Sequence, residues 1–226
     1  MSGIDTENAG AKAHWDALHA QSRFRPRYPS DAVVRFVMGS FGGDGRGKRA
    51  IDIGVGGGRH TKFLCELGFE TSGIDISGEG LRRTSEWLET LHLKADLRET
   101  SMTNLPFPSD SFDAAVSWGV FYYADCAGMH AAIQELYRVL RVGGMALVMT
   151  RRTADYRFDK GERLEPRTVR LTGDDTNEKG SIMHFLSEED VPSYFSDFAK
   201  VDFEWMEFTF GGRAGVNSDW IITVQK

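Results

Sequence analysis

The sequence is poor in cysteine and has no long apolar run. Cys65 and Cys126 are its two cysteines in 226 residues, and they lie far apart without the spacing of metal ligands. This usage predicts a reducing, cytoplasmic environment and neither a disulfide framework nor a bound metal. No apolar stretch approaches the ~20 residues that a transmembrane helix needs, so we expect no association with a membrane.

The chain also has fewer basic than acidic residues. The chain has 27 Lys and Arg against 33 Asp and Glu, which gives a formal net charge of −6. Because contact with phosphates favours a basic face, this balance argues against broad nucleic-acid binding. The hydrophobic fraction of 41% and the charged fraction of 27% are those of a soluble globular protein. A chain of this length can bury a full core as one domain.

Strand and helix patterns alternate through the middle of the chain. Short apolar runs predict strands at residues 49–53, 70–76, 93–97, 112–118 and 145–150. Segments with helical periodicity separate them, which predicts an α/β fold with a doubly wound, Rossmann-like parallel sheet and helices on both faces. VDFEWMEFTF and DWIITVQK near the C-terminus predict a hairpin that adds an antiparallel strand at one side.

The segment AIDIGVGGGRHTKFL, residues 50–64, has four glycines in the five positions from Gly54 to Gly58. It follows a predicted strand and opens a predicted helix. Such a turn lets a ligand pack against bare backbone, while the helix N-terminus offers free N–H groups. Asp75 ends the next predicted strand, 21 residues after Gly54. A carboxylate at that place can accept both hydroxyls of a ribose.

Two classes of ligand fit a carboxylate that binds ribose: dinucleotides and S-adenosylmethionine. The dinucleotide pattern GxGxxG requires a third glycine at position 59, where the chain has Arg59. The spacing present is Asp52-x-Gly54-x-Gly56-x-Gly58. An acid inside the strand opposes a pyrophosphate but suits the ammonium group of a methionine tail. These residues favour S-adenosylmethionine over NAD.

The same residues resemble the class I S-adenosylmethionine-dependent methyltransferases, and the resemblance covers roughly residues 48–150. GIDIS (73–77) resembles the second strand of the family, and SMTNLPFPSDSFDAAVSW (101–118) resembles the segment around the adenine. LYRVLRVGGMALVM (136–149) resembles the helix, the glycine turn and the fifth strand that follow. The family fold that this implies is a seven-stranded sheet with an antiparallel last strand.

The resemblance also implies the cofactor, S-adenosylmethionine, and the residues that bind it. Asp75 is expected to bind the ribose, and Ser101 and Met102 are expected to contact the adenine. The family often has aspartate at the position of Ser101. Trp118 lines the methionine tail. The complete predicted cofactor set is Asp52, Gly54, Gly56, Gly58, Asp75, Ile76, Ser101, Met102, Ser117 and Trp118.

We predict one methyltransferase domain over residues 1–226. Its parts are an N-terminal helical cap (1–47), a cofactor-binding core (48–150), an insertion on the acceptor side (151–186), and a terminal helix with the hairpin (187–226). The terminal helix is expected to start at the capping box SEED and to include Phe198. The sequence leaves the oligomeric state open between monomer and homodimer.

The methyl acceptor must be sought in the divergent parts of the chain. RRTADYRFDKGERLEPRTVR (151–170) has seven basic residues against four acidic ones in an acidic protein. Because the guanidinium group of Arg can donate two parallel hydrogen bonds to a carboxylate or phosphoryl group, this segment suggests a binding site for an anionic substrate. The candidate acceptor residues are Tyr28, Arg167, Arg170, Lys179 and His184. A solvated charged loop and a structural histidine are the simpler interpretations.

The leading hypothesis is O-methylation of an anionic oxygen, a phosphonate or carboxylate, on a small molecule. A weaker resemblance to small methyltransferases of antibiotic pathways, including phosphonate O-methyltransferases, supports it. N-methylation of a small amine or amino sugar and non-catalytic binding of the cofactor are the alternatives. Methylation of a nucleic-acid base is disfavoured, because neither NPPY nor DPPY follows the fourth strand.

Overall fold

A computed structural model describes residues 3–174 and 176–226, with side chains from residue 10 onward. The helices in these residues are α1 (Gly3–His19), α2 (Asp31–Phe41), α3 (Arg59–Glu66), α4 (Gly78–Thr90), α5 (Cys126–Val139) and α6 (Asp190–Tyr194), with a 3₁₀ turn at Ser22–Phe24. The strands are β1 (Arg49–Ile53), β2 (Glu70–Asp75), β3 (Asp96–Glu99), β4 (Phe112–Trp118), β5 (Leu140–Arg151), β6 (Gly161–Glu165), β7 (Thr168–Leu171), β8 (Ile182–His184), β9 (Lys200–Phe210) and β10 (Gly215–Gln225).

Seven strands form the main sheet in the order β3-β2-β1-β4-β5-β10-β9. β1 to β5 run parallel, and β10 runs antiparallel to both of its neighbours. The strand order reverses between β1 and β4, which is where ligands bind in folds of this type. The predicted doubly wound sheet with an antiparallel strand from the terminal hairpin is confirmed.

Apolar side chains cover both faces of this sheet. One face carries Ala50, Ala114, Val116 and Leu147, and it packs against α2 and α3 through Val33, Phe36, Val37 and Leu64. The other face is larger and packs against α5, α6 and the segment between β5 and β9, with Phe112, Leu136, Phe185, Phe195 and Trp220 among its fully buried side chains. In the described part of the chain, no helix is long and apolar enough to cross a membrane.

The third strand lies further along the chain than the apolar pattern of residues 93–97 predicts. β3 covers Asp96–Glu99, whereas Leu93 belongs to the C-terminal cap of α4. His92 has a φ of 56°, and the N–H of Leu93 donates to the carbonyl of Leu88 at 3.0 Å. This 6→1 bond is a Schellman cap, which uses the apolar Leu93 to close a helix.

The acceptor-side insertion forms a small sheet, although its sequence shows little periodicity. β6, β7 and β8 pair antiparallel, and Val169, Leu171 and Met183 enter the core of the main sheet. The strands have three to five residues, too short for alternation to stand out among charged residues. The helix predicted from the SEED box is also shorter than expected. It ends at Tyr194, and Phe198 packs from a following turn.

Packing of the insertion can be tested at Phe185, which is fully buried after β8. Phe185→Ala should lower the free energy of unfolding by about 3–5 kcal/mol, because a cavity replaces a core aromatic ring. Leu164→Ala on β6 is the matched control, since Leu164 is 38% exposed and should cost far less. Urea denaturation measures both values. Equal losses for the two variants would contradict this account of the insertion.

Candidate functional site

The glycine loop connects β1 to α3 and is bonded to the neighbouring strand β2. The N–H groups of Gly54 and Val55 both donate to the carbonyl of Ile74, at 2.8 and 3.0 Å. Gly54 has a φ of 83°, and a Cβ atom there would lie 2.0 Å from a methyl group of Val120. Both the backbone angle and the available space therefore require glycine.

Asp75 holds the loop in place from the end of β2. Its two carboxylate oxygens accept the N–H of Gly56 and the N–H of Ser77, each at 2.8 Å. Burial raises the pKa of Asp75. Since an ionised carboxylate has about four lone-pair sites, these two bonds leave acceptor capacity for a ligand hydroxyl.

Asp52 is the most unusual side chain of the site. It is 1% exposed, and its Oδ2 accepts the hydroxyl of Thr61 on α3 at 2.6 Å. Its Oδ1 is buried and has no hydrogen-bond partner. Burial, reinforced by the charge of Asp75, raises the pKa of Asp52 to about 7. A buried acceptor without a donor is costly, so this atom is suited to a donor supplied by a ligand.

The other predicted cofactor residues lie at the same edge of the sheet. Ser117 and Trp118 end β4, and the hydroxyl of Ser117 is buried without a partner. Ser101 and Met102 follow β3 in a loop whose Thr100 N–H donates to the carbonyl of Asp75 at 3.0 Å. The structure therefore brings the predicted set together around the carboxyl ends of β1, β2, β3 and β4.

Helix α1 lies over this edge and is tied to it by polar bonds. Asp16 accepts the hydroxyl of Ser77 at 2.7 Å and the N–H of Glu79 at 3.1 Å. Lys12 donates to the carbonyl of Ile76 at 3.3 Å and pairs with Glu99 at 2.7 Å. The predicted N-terminal cap thus packs directly on the residues expected to bind the cofactor.

Two aromatic residues of α1 were not assigned a role from the sequence. His19 lies between glycines of the loop and of α4, since a Cβ at Gly80 would be 2.8 Å from its Nδ1. Burial lowers the pKa of His19 and favours its neutral form. The ring of Trp15 lies 4.7 Å from that of Tyr123, which follows β4. The sequence feature that could have suggested a role was the position of Trp15 on the apolar face of a predicted helix in the N-terminal cap.

A buried charged cluster lies beside the tyrosines that follow β4. Arg151, at the end of β5, pairs with Asp219 at 2.6 Å and with Asp155 at 3.4 Å. Its guanidinium carbon is 5.0 Å from the ring centre of Tyr122, and its Nε is buried without a partner. The sequence placed Arg151 in the basic segment but did not distinguish it from the exposed arginines there.

The insertion completes this cluster. Arg157 pairs with Asp155 at 3.0 Å and with Glu178 at 2.6 Å. Glu178 also accepts the hydroxyl of Tyr123 at 2.5 Å, and nearby cations hold the pKa of Glu178 below its usual range against the effect of burial. The cluster has two arginines and three carboxylates, so its charges are largely compensated internally.

The five candidate acceptor residues are each engaged elsewhere or exposed. Tyr28 is 83% exposed. Arg167 pairs with Asp190 at 2.9 Å, and Lys179 pairs with Asp174 at 2.5 Å. His184 is buried, with Nδ1 2.8 Å from the hydroxyl of Thr168 and Nε2 2.7 Å from that of Tyr194.

Burial lowers the pKa of His184, and its satisfied nitrogens match a structural histidine. Arg170 lies 3.9 Å from Glu162 across the small sheet. The acceptor role of these residues stays a prediction, and the charged residues in contact with Tyr122 and Tyr123 are Arg151 and Glu178. Among the residues with a described placement, no group of three or more potential metal ligands occurs.

Residues 50–144 match the sequence profile of the methyltransferase-domain family. The match covers less than half of the chain and shows that these residues are similar to a methyltransferase domain. The cofactor of that family is S-adenosylmethionine.

Curated relatives match part of this chain. A malonyl-[acyl-carrier protein] O-methyltransferase of Enterobacter lignolyticus is 30% identical over 108 residues, 47% of this chain and 40% of the relative. A demethylmenaquinone methyltransferase of Thermus thermophilus is 32% identical over 144 residues, 57% of this chain and 62% of the relative. The chain thus spans less than two thirds of the length of either relative.

Among solved structures, the 1,6-didemethyltoxoflavin-N1-methyltransferase of Burkholderia thailandensis superposes with a TM-score of 0.72 at 13% identity. The match covers 100% of this chain and 91% of that one. A methyltransferase of Methanosarcina mazei superposes with a TM-score of 0.69 at 22% identity, over 84% of this chain and 96% of that one. At these identities the similarity establishes the fold.

The raised pKa of Asp52 predicts a pH dependence of stability. The folded-state pKa of about 7 exceeds the ordinary value of 3.8, so the unfolded chain loses this proton first as the pH rises. Asp52 therefore destabilises the fold progressively between pH 4 and pH 7, by up to about 4 kcal/mol. Asp52→Asn, which retains an acceptor for Thr61, should increase the free energy of unfolding at pH 8 and should change it little at pH 4.

Urea denaturation at both pH values measures this effect. The matched control is Asp197→Asn, which removes the same charge at an exposed position. A gain that is equal at the two pH values, or equal in the two variants, would show that Asp52 is not a buried acid of raised pKa.

Proposed function

We propose that this chain is an S-adenosylmethionine-dependent methyltransferase that acts on a small molecule. The observation that carries the proposal is the unpaired, buried Oδ1 of Asp52 at the start of the glycine loop. An ammonium group is the kind of donor that would satisfy this atom and favour its ionised form. The family of residues 50–144 supports the same cofactor.

The residues proposed to hold the cofactor follow from their positions around the loop. Asp75 keeps lone pairs for the ribose hydroxyls, and Asp52 with Ser117 offers unpaired oxygens for the methionine portion. Bare backbone at Gly54, Gly56 and Gly58 allows close approach of the ligand. Ile76, Ser101 and Met102 are assigned to the adenine, and Trp118 to the methionine tail.

When bound, S-adenosylmethionine supplies a methyl group that is already activated by its positive sulfur. The chain must then position the acceptor and exclude water, effects that are worth about 7–11 kcal/mol where geometry is well held. Trp15 of α1 and Tyr123 after β4 meet at 4.7 Å and can close the site from above. A carboxylate or phosphonate oxygen needs no general base, because it carries no proton to remove.

An anionic oxygen is the proposed acceptor. Arg151 lies beside Tyr122, and Arg157 pairs with Glu178, which accepts the hydroxyl of Tyr123. The Nε of Arg151 is a buried donor without an acceptor. Donors of this kind favour a negatively charged oxygen in a site of low dielectric constant. A malonyl-[acyl-carrier protein] O-methyltransferase that matches part of this chain supports a carboxylate as the acceptor.

One observation favours an amine as the second candidate. Glu178 contacts the hydroxyl of Tyr123 and is ionised in the folded protein, since its pKa lies below the usual range. The cluster also has one carboxylate more than it has arginines. A carboxylate in this place would suit a protonated or partly positive amine.

Cofactor binding is the first test. S-adenosylhomocysteine should bind in calorimetry, with NAD far weaker. Asp75→Ala should reduce the affinity at least about tenfold, since charge-assisted bonds to the ribose are lost. Asp197→Ala, at an exposed site, serves as the control. Stronger binding of NAD, or full affinity in Asp75→Ala, would reject the proposed cofactor site.

Acceptor class is the second test. A labelled-methyl screen should cover carboxylates, phosphonates, phenols and amines, and active acceptors should be assayed with Arg157→Lys and Glu178→Gln. For an anionic acceptor, Arg157→Lys should raise KM about tenfold while the affinity for S-adenosylhomocysteine is kept. For an amine, Glu178→Gln should have that effect. Cofactor binding without methyl transfer to any acceptor would favour a non-catalytic binding protein.

A further inference from the structure

A groove lies on the outer side of the cofactor edge, between the segment Ser22–Pro29 and helix α4. It consists of two adjoining cavities of about 470 and 360 Å³. Arg27, Trp87 and Thr90 line both cavities, so the two are parts of one groove. These volumes lie in the range of sites that hold small organic ligands. The residues proposed to bind the cofactor are not part of its lining.

The groove carries positive charge that its lining carboxylate Glu86 does not neutralise, because Glu86 pairs with Arg82 and Arg83. Arg25 and Arg27 line the groove, and Arg23 lies next to them in the chain. None of the three forms an ion pair, although most arginines and lysines in the described part of the chain are paired. The Nε of Arg25 is buried and has no hydrogen-bond partner. Three unpaired arginines within five residues are unexpected in a chain with a net charge of −6, because each would gain by pairing with an anion.

Apolar and aromatic surface adjoins these cations. Trp87 is half-buried on α4, with the guanidinium carbon of Arg27 5.9 Å and the ammonium of Lys62 5.7 Å from the centre of its ring. Tyr28 is 83% exposed and Leu91 is 40% exposed in the same groove. A ligand that lies here therefore meets a planar ring as well as positive charge.

The position of Arg25 separates this groove from the cofactor site while keeping the two in contact. A Cβ atom at Gly57 would lie 2.9 Å from the Cα of Arg25, so the segment packs directly against the outside of the glycine loop. Two other cations of the groove are paired within the protein, Arg83 with Glu79 at 2.8 Å and Lys62 with Glu66 at 2.6 Å. Arg25 and Arg27 remain available to a ligand.

We propose that this groove is a second ligand site, for a small dianionic phosphomonoester that carries a planar or apolar group. Arg25 and Arg27 bind the phosphoryl oxygens, since the guanidinium fork matches their geometry. Trp87 and Tyr28 contact the planar group.

Phenyl phosphate is a suitable probe, followed by ¹⁹F NMR of protein labelled with 5-fluorotryptophan. The signal of Trp87 is assigned with Trp87→Phe. Saturating S-adenosylhomocysteine is present throughout, so that the probe cannot report binding in the cofactor site. We expect a saturable shift of the Trp87 signal, and at least about tenfold weaker binding in the double variant Arg25→Gln/Arg27→Gln.

The matched control is Lys94→Gln/Arg213→Gln, which removes two unpaired cations elsewhere on the surface and should bind as the wild type does. Absence of a saturable shift, or equal affinity in the groove variant and the control, would overturn the proposal. Inorganic phosphate binding as tightly as phenyl phosphate would remove the role of Trp87 and Tyr28. Tighter binding of a polyglutamate peptide would replace the small ligand with an acidic protein surface.

This experiment is independent of the proposed methyl transfer. The affinity for S-adenosylhomocysteine is measured in the same samples by calorimetry. If the protein binds S-adenosylhomocysteine with full affinity but does not bind phenyl phosphate, the proposed ligand site in the groove is rejected and the proposed function is not. Binding of phenyl phosphate by a protein that fails to bind the cofactor rejects the proposed function and leaves the groove in place.

Discussion

The carboxylate of Asp75 is the interaction on which the arrangement of the site depends. It accepts one N–H from the glycine loop and one from the residue that caps α4, both at 2.8 Å. A single side chain at the end of β2 thus sets the positions of the β1–α3 turn and the start of α4 relative to each other. The proposed site for a sugar and the geometry of the loop consequently depend on the same side chain.

Local patterns predicted the sheet and its carboxyl edge well, because both rest on short-range rules. Strand–helix alternation indicates parallel strands, and the glycine-rich segment predicts a turn after β1, where Gly54, Gly56 and Gly58 have positive φ angles. The prediction failed where one apolar residue can serve two purposes. Leu93 has the character of a strand residue but closes α4.

The acceptor side was harder to predict, because its residues meet only through tertiary contacts. Arg151 and Asp219 are 68 positions apart, and Tyr123 and Glu178 are 55 apart. In the sequence each of these residues looks like many other charged or aromatic residues. Arg151 and Asp219 are buried in the folded chain, and local sequence patterns do not reveal this. The ion pair of Arg167 with Asp190 likewise depends on a neighbour brought close by folding.

The docking of α1 has a consequence for the timing of events at the site. His19 lies within the loop region, and Asp16 and Lys12 anchor the same helix to Ser77, Glu79 and Glu99. Asp75 is 8% exposed, so the proposed function requires α1 to move before a nucleoside reaches this carboxylate. Exchange of spent for fresh cofactor would then be coupled to the release of this helix, and the rate of that release would set an upper limit on turnover.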